Sequence, residues 1–231
     1  MSEHERTPPE GTAPHLASPA GRRSTLAPDL TLLPLLNIVI YPLTVTPLAI
    51  GQEASVRLVD DAIAEGRLIG MVALTGSHRP EHLSPADLFQ IGTAAVIHRM
   101  VRLHDNTLRV AVEGVERFQV QEVLETEPLV RARVRPLPDE PLDRGARAEA
   151  RALAAAAAAL ARRLPSQGVA LLQELSAEQD PQRLSYLAAA RLLPRSSLAE
   201  RQAILELANT AQRLARLRAV LERDLAALER R

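Results

Sequence analysis

The chain has 231 residues, 46% of them hydrophobic and 24% charged, with a formal net charge of +0; that is room for one or two ordinary domains, with no global pull toward nucleic acid or an anionic membrane. It has no cysteine, which excludes disulfides, thiolate catalysis and zinc–cysteine sites, and only 2% aromatics, too few for a base-stacking platform. No apolar run reaches the length that spans a bilayer and the first residues carry no apolar secretory core, so the chain reads as cytoplasmic.

Residues 1–28 are rich in Pro, Gly, Ser, Thr and charge. They hold too little apolar surface to offset the entropy of ordering and read as a disordered tail. Next comes "LPLLNIVIYPLTVTPLAIG" (33–51), among the most apolar stretches, yet broken by Pro34, Pro42 and Pro47. Proline fits neither a helix interior nor a central strand. "TLLPLL" and "TVTPLAI" are therefore expected as short strands framing a corner at "NIVIYP". "QEASVRLVDDAIAEG" (52–66) reads as a helix, with Val56, Val59 and Ile63 at helical spacing and Gly66 as its stop. "RLIGMVAL" (67–74) reads as a buried strand. "TGSHRPEHLSPADLFQIG" (75–92) reads as a loop with one helical turn after Ser84, an N-cap before Pro85.

A hairpin follows, turning at Asp105-Asn106, residues that tolerate left-handed backbone. Leu108, Val110 and Val112 alternate with Arg109, Ala111 and Glu113, the period of a half-buried strand. Gly114 interrupts the alternation, and a bulge or bend is expected there. "EPLVRARVRPLP" alternates Val130, Ala132 and Val134 against Arg131, Arg133 and Arg135. After "PDEPLDRGAR" the texture becomes helical, opening with the alanine-rich "AEARALAAAAAALARRL", which has the highest helix propensity in the chain. Pro165, Pro181 and Pro194 punctuate short helices. A last helix of about 20 residues places Leu214, Leu217, Leu221, Leu225 and Leu228 on one stripe. Strands clustered before helices argue for an α+β unit and then an all-α unit.

No constellation points to catalysis or metal binding. His98 and His104, with Asp105, fit solvated strand-end histidines better than a site. His78 and His82 flank Glu81 in a loop broken by Pro80, where helical i, i+4 ligation is not available. Asp60-Asp61 read as the solvated face of the first helix. Arg131, Arg133 and Arg135, with Arg99, Arg102 and Arg109 on the hairpin, are best read as a charge-protected sheet edge, because every basic residue here is arginine and none is lysine. Their other reading is an anion or RNA patch.

The order of "LPLLNIVIYPLTVTPLAIG", "LIGMVAL", "PADLFQIGTAAVIHRMVRLHDNTLRVAVEGVERF" and "EPLVRARVRPLPD" resembles the N-terminal substrate-recognition domain of the Lon ATP-dependent proteases. The likeness runs from about residue 30 to residue 231. The one departure is Asn106, where the family often has glycine. The resemblance implies an α+β fold: a PUA-like open β-barrel domain over 29–138, whose first strand turns a corner at Tyr41-Pro42, then an all-α helical domain over 143–231. It also implies a non-catalytic module that binds unfolded or damaged proteins and passes them to a Lon ATPase/protease module in cis or in trans. Tyr41, Pro42, Leu43, Leu83, Leu88 and Phe89, apolar residues on expected corners and loops, are the candidate contacts to substrate protein. No cofactor, metal or membrane partner is expected, and self-association stays open. A P-loop needs a lysine for the phosphates, and the Lon dyad needs one as base for its serine. These 231 residues can supply neither. The last helix has no stop signal where the family continues into a coiled coil, so a piece of a longer protease and a free-standing relative are both open. The alternative function is a PUA-like RNA-binding protein using the arginine strand.

Overall fold

β1 (Asp29–Leu35) is apolar on both faces, and the fold uses both. Leu30 and Leu32 enter one core, Leu33 and Leu35 another, the alternation that a pleated strand imposes. The structure, a computed structural model, describes residues 26–51, 53–76, 82–103, 107–163, 165–194 and 196–229. Residues 1–25 of the tail expected over 1–28 and the expected turn at Asp105-Asn106 lie outside these. The end of that tail is ordered against the barrel, Leu26 packing on its core and the Pro28 carbonyl accepting from Val134 N at 2.8 Å.

The β unit continues with β2 (Val45–Ile50), α1 (Glu53–Glu65), β3 (Ile69–Ala73), a single 3-10 turn (Pro85–Asp87), β4 (Ile91–Arg102), β5 (Leu108–Glu125) and β6 (Val130–Pro136). β1 runs parallel to β3 and antiparallel to β6. The pairs β3–β4, β4–β5 and β5–β6 are antiparallel, so the hydrogen-bonded ring β1-β3-β4-β5-β6 returns on itself, with β2 flanking β5. This is the expected PUA-like barrel. β5 holds it together because its 18 residues outlast any one partner. Its first half pairs with β2 and its second half with β6, while β4 lies along it from Leu108 to Gln119. Ala94 faces Glu116 but Ala95 faces Gly114, which leaves Val115 extra, the bulge foreseen from Gly114.

The prolines sit where their missing N–H does no harm. β6 covers β1 only as far as Leu32, so Pro34 has a strand on its β3 side alone, opposite Val72. Pro47 lies in β2, whose strand neighbour is β5. Both are edge positions. Pro42 makes an isolated bridge with Gly114. A Cβ on Gly114 would come within 2.2 Å of the Tyr41 carbonyl oxygen, so only glycine lets the corner approach the bulge this closely.

α1 packs Leu58, Val59 and Ala62 with Val56 into the same core as Leu33 and Leu35. Ser55, Leu58, Val59 and Ala62 are the i, i+3, i+4, i+7 set, and Ile63, expected on this face, is instead 41% exposed just beside it. Gly66 (φ 62°) ends the helix, its successor Arg67 donating to the Ala62 carbonyl at 3.0 Å, a Schellman closure.

The helical unit comprises α2 (Arg144–Arg163), α3 (Pro165–Ala177), α4 (Pro181–Leu192), α5 (Leu198–Glu206) and α6 (Thr210–Glu229). Asp180 caps α4 by accepting from Gln182 N at 2.8 Å, and Ser197 with Glu200 forms a capping box on α5. α2 and α6 run side by side in the same direction: Gly145 lies near Ala211, and Glu149 Oε2 accepts from Arg218 Nε at 3.1 Å. Leu214, Leu217 and Leu221 of the expected stripe are buried with Leu153 and Ala157, and Leu225 is half-buried. The side chain of Leu228 lies outside the described residues. This core also takes Tyr41, Val39, Leu43 and Ile91 from the β unit, so the two units share one apolar interior.

Candidate functional site

Between the end of β1 and the edge strand β2 an open cleft of about 230 Å³ is lined by Leu33, Pro34, Leu36, Ile38, Ala49 and Ser55 with their neighbours. Among the described residues its lining contains no charged side chain. Leu36 and Ile38 stand on its lip, 44% and 36% exposed. The reason is local. The chain must cross from β1 to β2, and residues 36–44 do so as a corner with two left-handed residues, Asn37 (φ 56°) and Leu43 (φ 60°). Ile40 and Tyr41 turn into the two cores, leaving Leu36 and Ile38 outside.

The six expected contact residues fare differently. Tyr41, Pro42 and Leu88 are buried, which corrects their reading as accessible contacts. The Tyr41 ring packs 6.5 Å from that of Tyr186, and its hydroxyl donates to the Arg201 carbonyl at 2.9 Å. Burial pushes the Tyr41 hydroxyl well above the usual tyrosine range, against the pull of the Arg201 charge. Leu88 bridges to Leu74 in the barrel core. Leu43, Leu83 and Phe89 are half-buried, Leu43 against the helical core and the other two against the barrel core. At this corner it is the neighbours Leu36 and Ile38 that carry exposed apolar surface.

Each arginine of the strand has a hydrogen-bond partner, a carboxylate for Arg131 and Arg133 and a neutral amide for Arg135. Arg131 donates to Glu125 at 3.0 Å, Arg133 to Glu122 at 2.6 Å and Arg135 Nε to Gln119 at 3.0 Å, all across the β5–β6 pair. Arg102 donates to Asp60 at 2.8 Å. His98 contacts Glu113, and His82 Nδ1 lies 3.3 Å from Glu127. His78, Glu81, His104 and Asp105 lie outside the described residues. Among the described residues, no group of three or more His, Cys, Asp or Glu is placed to hold a metal ion, and no helix is long and apolar enough to cross a membrane.

Sequence reasoning missed a buried charge cluster. Asp139 Oδ1 lies 2.7 Å from Arg117 Nη2, and Asp139 Oδ2 lies 3.0 Å from Arg213 Nη2. The Tyr186 hydroxyl donates to Asp139 Oδ1 at 2.8 Å, and Arg213 stacks 3.9 Å over the Tyr186 ring. One signal was present: Arg213 precedes Leu217 and Leu221 by four and eight residues, on the apolar stripe itself.

Fold and cleft together define a class: a PUA-like barrel fused to a helical bundle through one shared core, with an uncharged open groove at the barrel edge. The family model for the ATP-dependent protease La (LON) substrate-binding domain matches residues 29–223, and the chain belongs to that family. It is 39% identical over 212 residues to Lon protease 1 of Herpetosiphon aurantiacus, covering 90% of this chain and 26% of that protein. To the Lon protease of Dictyoglomus thermophilum it is 36% identical over 203 residues, 87% of this chain and 25% of that one. The chain thus spans about a quarter of the length of these relatives. The fold is similar to the N-terminal domain of a Mycobacterium avium complex Lon protease (TM-score 0.67, 17% identity, 84% of this chain and 98% of that one). It is also similar to a Lon N-terminal domain protein from Xanthomonas campestris (TM-score 0.57, 21% identity, 83% and 97%).

Proposed function

We propose that this chain is a non-catalytic recognition module. It binds exposed apolar segments of unfolded or damaged proteins in the cytoplasm, for a Lon-type ATPase and protease supplied in cis or in trans. The observation that supports this is the uncharged cleft, with Leu36 and Ile38 on its lip, in a chain of the substrate-binding family. An apolar cavity of about 150 Å³ is enough to hold benzene, so a cleft of about 230 Å³ takes one bulky apolar side chain at a time. Pro34 lines the cleft and Pro47 lies in β2 just before its lining residues Leu48–Ile50, so both strands are short of a hydrogen-bond donor there. The guest is therefore held by its side chains more than by strand addition, and the walls do not recruit further strands. Single grips of this kind are weak, and several copies raise them by avidity.

The test is fluorescence anisotropy with labelled, reduced and carboxymethylated α-lactalbumin, a permanently unfolded polypeptide. The full chain binds it, a rise in salt of about tenfold leaves binding nearly unchanged, and Leu36→Asp with Ile38→Asp abolishes it. No binding, or binding indifferent to the double substitution, overturns the reading.

A further inference from the structure

The lip of the cleft is held from outside the β unit. Residues 36–38 follow the end of β1 and have no strand partner among the described residues. Between the two exposed apolar residues sits Asn37, in left-handed backbone at φ 56°. Arg201 of α5 reaches it across 164 residues of sequence and grips it twice. Nη1 donates to the Asn37 carbonyl at 2.8 Å and Nη2 to its side-chain oxygen.

α5 is itself fastened on three sides. The Tyr41 hydroxyl donates to the Arg201 carbonyl at 2.9 Å. Gln202 Nε2 donates to the Ile91 carbonyl at 3.0 Å, at the start of β4. Arg223 of α6 donates to Glu200 at 3.1 Å. The corner is pinned from below as well, Thr93 Oγ1 donating to the Ile40 carbonyl at 2.6 Å. The segment bearing Leu36 and Ile38 is thus suspended between a fixed point at Ile40 and the guanidinium fork of Arg201.

We infer that Arg201 is a positioning residue for the cleft: by clamping Asn37 it sets where Leu36 and Ile38 stand, so the helical unit governs the binding surface of the β unit. This rests on the cleft being the polypeptide-binding site. The planar fork meets a main-chain and a side-chain acceptor of one residue at once, which a lysine ammonium does not reproduce. It also selects the left-handed backbone, one of the conformations open to asparagine, as the one Asn37 keeps.

The experiment uses the full chain, with Arg201→Ala, Arg201→Lys and, as a surface control, the exposed Arg216→Ala. Asn37→Gly is the second variant: it permits the left-handed backbone and keeps the main-chain acceptor, losing only the side-chain one. Two readouts are taken, amide hydrogen exchange over residues 36–40 and anisotropy with the carboxymethylated α-lactalbumin. Arg201→Ala is expected to speed exchange there and weaken binding about tenfold, the scale of one charge-assisted hydrogen bond. Arg201→Lys does not restore it, Asn37→Gly falls between, and Arg216→Ala matches the parent. Parent-like binding or unchanged exchange in Arg201→Ala overturns the inference while leaving the cleft reading intact, and so does full rescue by Arg201→Lys. If the parent chain does not bind the unfolded polypeptide at all, the cleft reading falls and takes the role of Arg201 with it. Faster exchange would then mark the clamp as structural only.

Discussion

Asp139 and Arg117 form an ion pair at 2.7 Å with their side chains 5% and 1% exposed. Asp139 comes from the stretch between β6 and α2, and Arg117 from the middle of β5. The same carboxylate holds Arg213 of α6, so one aspartate fastens both units to the segment that joins them. The two guanidiniums outnumber it. The surplus charge is met by main-chain oxygens at the end of α5: Arg117 donates to the Leu205 carbonyl at 2.9 Å and Arg213 to the Leu207 carbonyl at 2.6 Å, where a helix favours cations.

Removing the carboxylate leaves two buried cations without their counter-ion. Asp139→Ala is expected to destabilise the chain by about 3–5 kcal/mol, the scale for breaking a buried pair on one side. Asp139→Asn keeps one acceptor and falls below that range. Urea unfolding followed by circular dichroism measures both. A loss under about 1 kcal/mol for Asp139→Ala, typical of an exposed pair, refutes this account.

Alkaline pH should act through two residues. The chain has two tyrosines and neither lysine nor cysteine. Burial holds the hydroxyls of Tyr41 and Tyr186 well above the usual tyrosine range, with Arg213 pulling the second one back. The unfolded state loses its tyrosine protons near pH 10 while the folded state keeps them. Stability is therefore complete below about pH 10 and falls above it, by up to about 1.4 kcal/mol per pH unit for each tyrosine. Urea titrations between about pH 9 and 11 check the slope, and Tyr186→Phe should halve it.

Glycine at the corner is a steric requirement. A methyl group on Gly114 meets the Tyr41 carbonyl oxygen at 2.2 Å, whereas on Gly51 its nearest neighbour is Thr107 Oγ1 at 3.8 Å. Gly114→Ala is expected to cost about 1–3 kcal/mol or more, and Gly51→Ala to stay within about 0.5 kcal/mol. Thermal melts of the two variants compare them directly. Equal melting temperatures would mean the corner yields.

On β6 the arginine guanidiniums are occupied by Glu125, Glu122 and Gln119, which argues against a nucleic-acid surface there. Filter binding with single-stranded RNA at physiological salt should detect nothing for the parent. Glu122→Gln with Glu125→Gln removes the nearest carboxylate from Arg133 and Arg131, leaving Arg133 its longer contact to Asp29 at 3.7 Å, and should raise only salt-sensitive, sequence-indifferent binding. Tight parent binding to RNA would reverse this view of the strand.

Most of the architecture was legible before the structure. Alternation in 108–113 and 130–135, the proline-broken opening, Gly66, Gly114, the helical turn after Ser84 and the leucine stripe of α6 each act within a few residues, through periodicity, missing donors or permitted backbone angles. These are properties a residue carries wherever the chain goes. What tertiary structure alone decided is which face ends up covered. Tyr41 and Leu36 are both apolar residues at one corner, yet Tyr41 is buried by helices far along the chain and Leu36 is left on the lip of the cleft. The pairing of Asp139 with Arg117 and Arg213, and of Asn37 with Arg201, is equally hidden from a linear reading. A charge buried against a distant partner follows no period: its stability comes from a neighbour that folding brings in, so the sequence shows only the loose arginine and aspartate.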